Sequence, residues 1–176
     1  LLNIALCIIC TLPPAWGQWT LHTIDNSSKG ADGVRLADVN GDGLLDVATG
    51  WEEGNRIRAY INPGTARVKK PWPAVTVGEV RSPEDAVFAD VDGDGKRDIV
   101  AVSENRVLWY QAPDWKPHVM IKDQTPRDNV CIAPLDIDGD GKIDFAGGAG
   151  WTGQGTLHWI RRGKSLDEPW QVHQLG

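Results

Sequence analysis

Three nine-residue segments of this chain align without gaps: DVNGDGLLD at 38–46, DVDGDGKRD at 90–98 and DIDGDGKID at 136–144. Their starts lie 52 and 46 residues apart. That period is too long for a bare array of metal loops and suits a four-stranded β-blade with its turns. A chain built this way uses one supersecondary unit repeatedly, and each unit buries its apolar surface only against its neighbours.

The flanks repeat with the loops. Short apolar stretches precede each one (33–37, 86–89, 130–135) and follow it (47–48, 99–102, 145–146). A third set alternates apolar and polar residues (57–61, 107–110, 157–160), and a fourth begins at a tryptophan (72–77, 115–121, 170–175). No stretch sustains a 3.6-residue period, and 20 glycines with 11 prolines favour tight turns over helices. The reading is all-β: a partial β-propeller of about three four-stranded blades, at about 30–77, 83–122 and 128–175. The acidic loops then join the first and second strands of each blade. Residues 19–24 (WTLHTI) resemble the fourth strand, and Trp19, Trp72, Trp115 and Trp170 mark the same point of successive repeats. A lone outer strand is therefore expected ahead of the first blade. Three blades leave two blade faces uncovered, as in a piece of a larger propeller.

The first 17 residues carry no charge. An apolar run at 1–12, a Pro13-Pro14 break and the small-x-small pattern Ala15-Trp16-Gly17 predict a signal peptide over 1–17, cleaved before Gln18. The run is too short to span a bilayer comfortably, so no membrane span is expected after cleavage. The protein is then secreted, periplasmic or held at the cell surface. Removal of the leader leaves Cys131 alone, which rules out an internal disulfide and reads as a small core hydrophobe.

The loops hold 11 carboxylates, three in the first and four in each of the others, leaving 13 acids against 18 Lys+Arg elsewhere. The net charge of −6 is thus a property of three short clusters. Aspartate or asparagine stands at loop positions 1, 3, 5 and 9, with glycine at 4 and 6. Alternate carboxylates on a tightly curled loop point at one centre, and the glycines admit the left-handed backbone of the turn. The carbonyl at position 7 adds a further oxygen. Calcium takes six to eight hard oxygen ligands of this kind. Zinc prefers imidazole or thiolate, which the loops lack. An EF-hand would need a bidentate glutamate at position 12 and flanking helices; Thr49, Ala101 and Gly147 stand there between strand-like flanks.

With these features the chain resembles the FG-GAP/VCBS repeats of integrin α-subunit propellers and of secreted bacterial proteins, from about residue 18 to 176. The resemblance implies about three calcium ions. Their ligands would be Asp38, Asn40, Asp42 and Asp46; Asp90, Asp92, Asp94 and Asp98; and Asp136, Asp138, Asp140 and Asp144. Leu44, Lys96 and Lys142 would contribute backbone oxygen. Related propellers are usually seven-bladed, and this chain departs from them in blade number.

No nucleophile elbow, phosphate loop or zinc signature is present. His22, His118 and His173 each follow a repeated tryptophan by three residues, where the remaining copy has Val75; that tolerance reads as architecture. The acidic balance disfavours nucleic acid. The connections opposite the loops carry the candidate ligand-binding residues Trp51, Trp151, Asp32, Asp85 and Asp128, since exposed tryptophan beside acids suits sugar stacking and hydrogen bonding. The favoured function is a non-catalytic, calcium-binding module for adhesion or scaffolding with an extracellular glycan or protein ligand. The alternative is part of a propeller enzyme acting on carbohydrate, lyase-like, which rests on fold analogy alone.

Overall fold

The computed structural model describes residues 19–151 and 153–176. The expected leader over 1–17 lies outside the described residues. Twelve strands follow one another: β1 (Ala31–Ala37), β2 (Asp46–Trp51), β3 (Arg56–Tyr60), β4 (Ala74–Glu79), β5 (Asp85–Ala89), β6 (Asp98–Ser103), β7 (Arg106–Gln111), β8 (Lys116–Lys122), β9 (Asn129–Leu135), β10 (Asp144–Ala149), β11 (Thr156–Arg161) and β12 (Gln171–Gln174). They form three antiparallel four-stranded sheets, each a simple meander in chain order. No helix occurs among the described residues. The architecture is that of three blades of a partial β-propeller, and each acidic loop joins the first and second strands of its sheet.

The first strands stand side by side, β1 against β5 and β5 against β9. Asp85 ties them together: one Oδ2 lies 2.6 Å from the Arg35 guanidinium of β1 and accepts the Ile132 amide of β9 at 3.1 Å. Close approach here explains Gly33, whose missing Cβ would overlap the Asp85 carboxyl.

Two interfaces make the core. Between the first and second blades, Ala48, Ile57, Ala59 and Val77 meet Phe88, Ile99, Leu108 and Tyr110. Between the second and third, Val100, Val102, Val107, Trp109 and Met120 meet Ile132, Phe145, Ile160 and Trp170. Alternate residues of β6 therefore face opposite neighbours, which is why that strand reads as a near-continuous apolar run and is buried throughout. Repeated cross-strand pairs thicken the outer part of each sheet. His118 lies opposite Trp109 and stacks on it at 4.4 Å, and His173 lies opposite Trp159 with centroids 5.1 Å apart. The first blade pairs Ala59 with Val75 at the same place. Two of the repeated histidines thus have a packing partner.

Residues 19–24 correct the expectation of a lone outer strand. They form no ladder, and Trp19 and Leu21 are 97% and 90% exposed. A strand needs a neighbour's edge to satisfy its backbone groups, and these residues pair with none of the described strands. The chain that follows packs on the outer face of the first blade instead, where Ile24 lies against Val47, Trp51 and Tyr60. Cys131 is a second correction. It is exposed, because alternate side chains of β9 point away from the second blade towards solvent.

Candidate metal centres

The three loops share one internal wiring. The position-1 aspartate turns inward and accepts the amides of both glycines. Asp38 receives Gly41 and Gly43 at 2.8 Å each, Asp90 receives Gly93 at 2.8 Å and Gly95 at 3.0 Å, and Asp136 receives Gly139 at 2.8 Å and Gly141 at 2.9 Å. Those amides are aimed only because the glycines adopt φ between 76° and 85°, a region closed to most side chains. Position 3 accepts the amide of position 5 (Asn40, Asp92 and Asp138, 3.0–3.2 Å). Position 5 accepts the amide of position 7 (Asp42, Asp94 and Asp140, 2.8–2.9 Å).

Position 9 behaves differently. Asp46, Asp98 and Asp144 open β2, β6 and β10 and are buried. Each spends one oxygen on the amide just after the third strand of its blade: Asn62, Ala112 and Arg162, all at 2.8 Å. The other oxygen of Asp46 and Asp98 accepts the position-2 amide, Val39 or Val91, at 2.9–3.0 Å. The other oxygen of Asp144 accepts the Trp159 indole N–H at 2.8 Å. These aspartates therefore clamp loop to sheet, and that of the second loop, Asp98, also converges with Asp90 and Asp92. That clamp was missed in the sequence, since the partners lie 16, 14 and 18 residues further along, with no constant spacing to mark them.

Carboxylate oxygens of Asp90, Asp92 and Asp98 come within 4.8 Å of one another, as do those of Asp136, Asp138 and Asp140. Converging hard oxygens at that spacing fit a divalent cation of the calcium type. In the first loop Asn40 supplies a neutral oxygen, and its amide donates to Asp42 at 3.1 Å. Basic side chains lie beside the loops: Lys96 Nζ is 2.7 Å from Asp94, and Arg161 is 2.7 Å from Asp138. The Gly43 amide, with those of Gly41 and Asp42, holds the Asp38 carboxyl below its usual range. Lys96 does the same for Asp94, and the Lys142 amide for Asp140. Burial pushes Asp98 upward against the Ala112 and Val91 amides.

On the opposite side of the blades the predicted ligand-binding residues separate. Asp32 joins Glu52 and Glu84 within 4.8 Å. Burial, together with the charges of Glu52, Asp32 and Asp128, pushes the Glu84 carboxyl up to about 7. Asp85 is buried in its ion pair with Arg35 and is withdrawn from the surface. The expected equivalence of Trp51 and Trp151 does not hold: Trp51 is the last residue of β2, whereas Trp151 lies two residues past the end of β10, where Ala149 takes the place of Trp51, and the two are 6% and 75% exposed. The Trp51 ring presents nothing to a sugar, because the N-terminal segment and Tyr60 cover it. Of the two, Trp151 keeps an accessible ring.

The sequence also concealed a polar knot on the first blade. Asp25 accepts the Tyr60 hydroxyl at 2.7 Å, pairs with Arg58 and accepts the Ser27 amide at 2.8 Å. Burial pushes its carboxyl up, but these hydrogen bonds prevail and hold it at about 2. Burial and the bond to Asp25 push the Tyr60 hydroxyl up to about 12.

Comparison with known proteins bears on the whole repeat. Mouse integrin alpha-X (Mus musculus) is 32% identical over 118 residues, which cover 57% of this chain and 10% of that protein. The FG-GAP-like repeat pattern matches residues 38–101 and 90–147, beginning at the first acidic loop and ending just past the third. The chain accordingly belongs to the FG-GAP-like repeat family.

Proposed function

We propose that this chain is an extracellular binding or scaffolding module whose blades are stabilised by calcium. The observation that carries the reading is the threefold recurrence of one loop wiring, with carboxylates converging in two of the copies. Asp38, Asn40, Asp42 and Asp46, with the Leu44 carbonyl, would hold the first ion. Asp90, Asp92, Asp94, Asp98 and the Lys96 carbonyl would hold the second. Asp136, Asp138, Asp140, Asp144 and the Lys142 carbonyl would hold the third. A bound cation neutralises the clustered carboxylates and links positions that the loop amides already orient.

The clamp made by the position-9 aspartates connects that ion to the second and third strands, so ion binding becomes folding stability by linkage. Extracellular calcium is abundant enough for sites of modest affinity. Export rests on the uncharged leader at 1–17; N-terminal sequencing of the exported protein is expected to begin at Gln18. Similarity to an integrin α-subunit supports a protein-binding role. Among the described residues no helix is long and apolar enough to cross a membrane.

Calorimetric titration of chelator-treated protein should return about three calcium ions per chain. Removing calcium should lower the melting temperature by several degrees, since saturating a site at about 100 times its Kd adds about 2.7 kcal/mol. An unchanged melting curve in chelator would defeat the structural role of the ion. For the binding role, immobilised protein is screened against arrayed glycans and purified extracellular proteins, and retention of none of them would defeat it.

A further inference from the structure

The second and third loops present the same set of oxygen ligands. Each has aspartate at positions 1, 3, 5 and 9, glycine at 4 and 6 and lysine at 7. Position 8 differs, Arg97 against Ile143, but Arg97 lines a cleft towards Arg35 and Leu36 of the first blade. What separates the two loops is a residue outside both of them. The pairs Val47–Tyr60, Ile99–Tyr110 and Phe145–Ile160 are equivalent in the three blades. The next residue, opposite the position-9 aspartate, is Ile61, Gln111 or Arg161.

That residue reaches across to position 3 of the loop. Gln111 donates its side-chain amide to Asp92 Oδ2 at 2.7 Å. Its side-chain oxygen lies 3.3 Å from His118 Nε2, which leaves the amide nitrogen turned to the loop. Arg161 places Nε at 2.9 Å and a terminal nitrogen at 2.7 Å from Asp138 Oδ2. The other oxygen of each aspartate accepts the position-5 amide. Both position-3 carboxylates are thus engaged at both oxygens, one by a neutral donor and the other by a full positive charge. The first blade has neither arrangement, since Ile61 carries no side-chain donor and Asn40 no charge.

The third blade holds the guanidinium in place. Its carbon lies 5.5 Å from the centre of the Trp159 ring, and the Trp159 indole N–H donates to Asp144 at 2.8 Å. Two side chains of β11 therefore engage positions 9 and 3 of the same loop. In the second loop Asp98 converges with Asp90 and Asp92, whereas the converging oxygens of the third belong to Asp136, Asp138 and Asp140. The Arg161 side chain is 41% exposed, which leaves it room to swing into solvent.

We propose that Arg161 is a tethered cation that competes with calcium for the third loop. The guanidinium balances Asp138 while no ion is held, and an arriving calcium ion must displace it or share the carboxylate with it. A pair exposed to this degree contributes little, so the handicap is severalfold and does not abolish binding. The third centre is accordingly weaker than the second, and it empties before the second as calcium falls. The proposal rests on the calcium reading and specifies which residue sets two of the centres apart.

The test titrates calcium into isotope-labelled full-length chain stripped of metal by chelator, followed by amide NMR. The position-6 glycines Gly43, Gly95 and Gly141 report the three loops. Gly95 should saturate at lower calcium than Gly141. Arg161→Gln, which gives the third blade the residue of the second, should tighten the response at Gly141 about two- to fivefold and leave that at Gly95 unchanged. Gln111→Arg should weaken the response at Gly95 by a similar factor, and either variant decides the matter if the other does not fold. A role confined to supporting the loop predicts the opposite sign, because loss of a partner of Asp138 would then weaken the third site. Weaker or unchanged binding at Gly141 in Arg161→Gln overturns the proposal, as do unchanged binding at Gly95 in Gln111→Arg and equal affinities at Gly95 and Gly141 in the parent. Each of these results leaves the calcium reading standing, since the parent glycines still respond. Silence of all three glycines at millimolar calcium removes that reading, and the proposal with it.

Discussion

The first and third blades each turn one face away from the middle blade, and the two outer faces have been treated differently. On the first blade, Val47, Trp51 and Tyr60 are buried beneath residues 24–30 and half-buried Trp72. The Asp25–Tyr60–Arg58 knot fastens that cover, and the Glu52 amide adds a bond to the Gly30 carbonyl at 2.6 Å. On the third blade, Leu135, Trp151, Leu157 and Leu175 are between 48% and 75% exposed, and Cys131 is exposed with them. The strands differ little in composition or pairing. What differs is whether a further stretch of chain lies over them, so burial here is a property of the neighbour more than of the strand.

The largest expected effect is a contrast between a tryptophan inside the covered blade and one in an open turn. Trp51→Ala removes a buried indole and leaves the Tyr60 hydroxyl one partner short, and should cost about 3–5 kcal/mol in urea unfolding. Trp151→Ala should stay within about 0.5 kcal/mol. Equal losses would mean that the two faces are covered alike.

A smaller effect should isolate the knot. Asp25→Ala is expected to cost about 1–2 kcal/mol at pH 7, with a pH dependence of definite sign. The folded carboxyl is held at about 2, below its usual 3.8. Its contribution is therefore complete above pH 4 and fades as pH falls towards 2, because the unfolded chain takes up the proton first. Unfolding curves of parent and variant should converge across that window, and a gap that persists at pH 2 would assign the loss to packing. The smallest effect belongs to the open face: Leu157→Ser should alter stability by less than about 0.5 kcal/mol. A loss several times larger would show that the third blade's outer face is covered in solution.

Much of the fold was legible in the residues. The recurrence of the acidic loop located the first hairpin of every blade, and period-two alternation located the third strands. The loop interior was legible too, because glycine at positions 4 and 6 leaves the position-1 carboxylate one inward geometry. Other features were not. The position-9 aspartates look like further loop ligands, yet their partners Asn62, Ala112 and Arg162 lie 14 to 18 residues away. Asp25 sits in an unremarkable polar stretch, 35 residues from the hydroxyl it accepts. Trp51 and Trp151 both follow a glycine, but they stand five and seven residues after the position-9 aspartate, which sets the first at the end of β2 and the second in the turn beyond β10.

By itself the sequence determined the repeat, the strands within it and the amide-lined carboxylate loops, because each depends on residues a few positions apart whose backbone preferences act locally. Only the tertiary structure decided which apolar faces are covered and how the Tyr60 hydroxyl is satisfied. Those outcomes depend on what a distant segment brings to the surface, and short-range pattern carries no record of the partner.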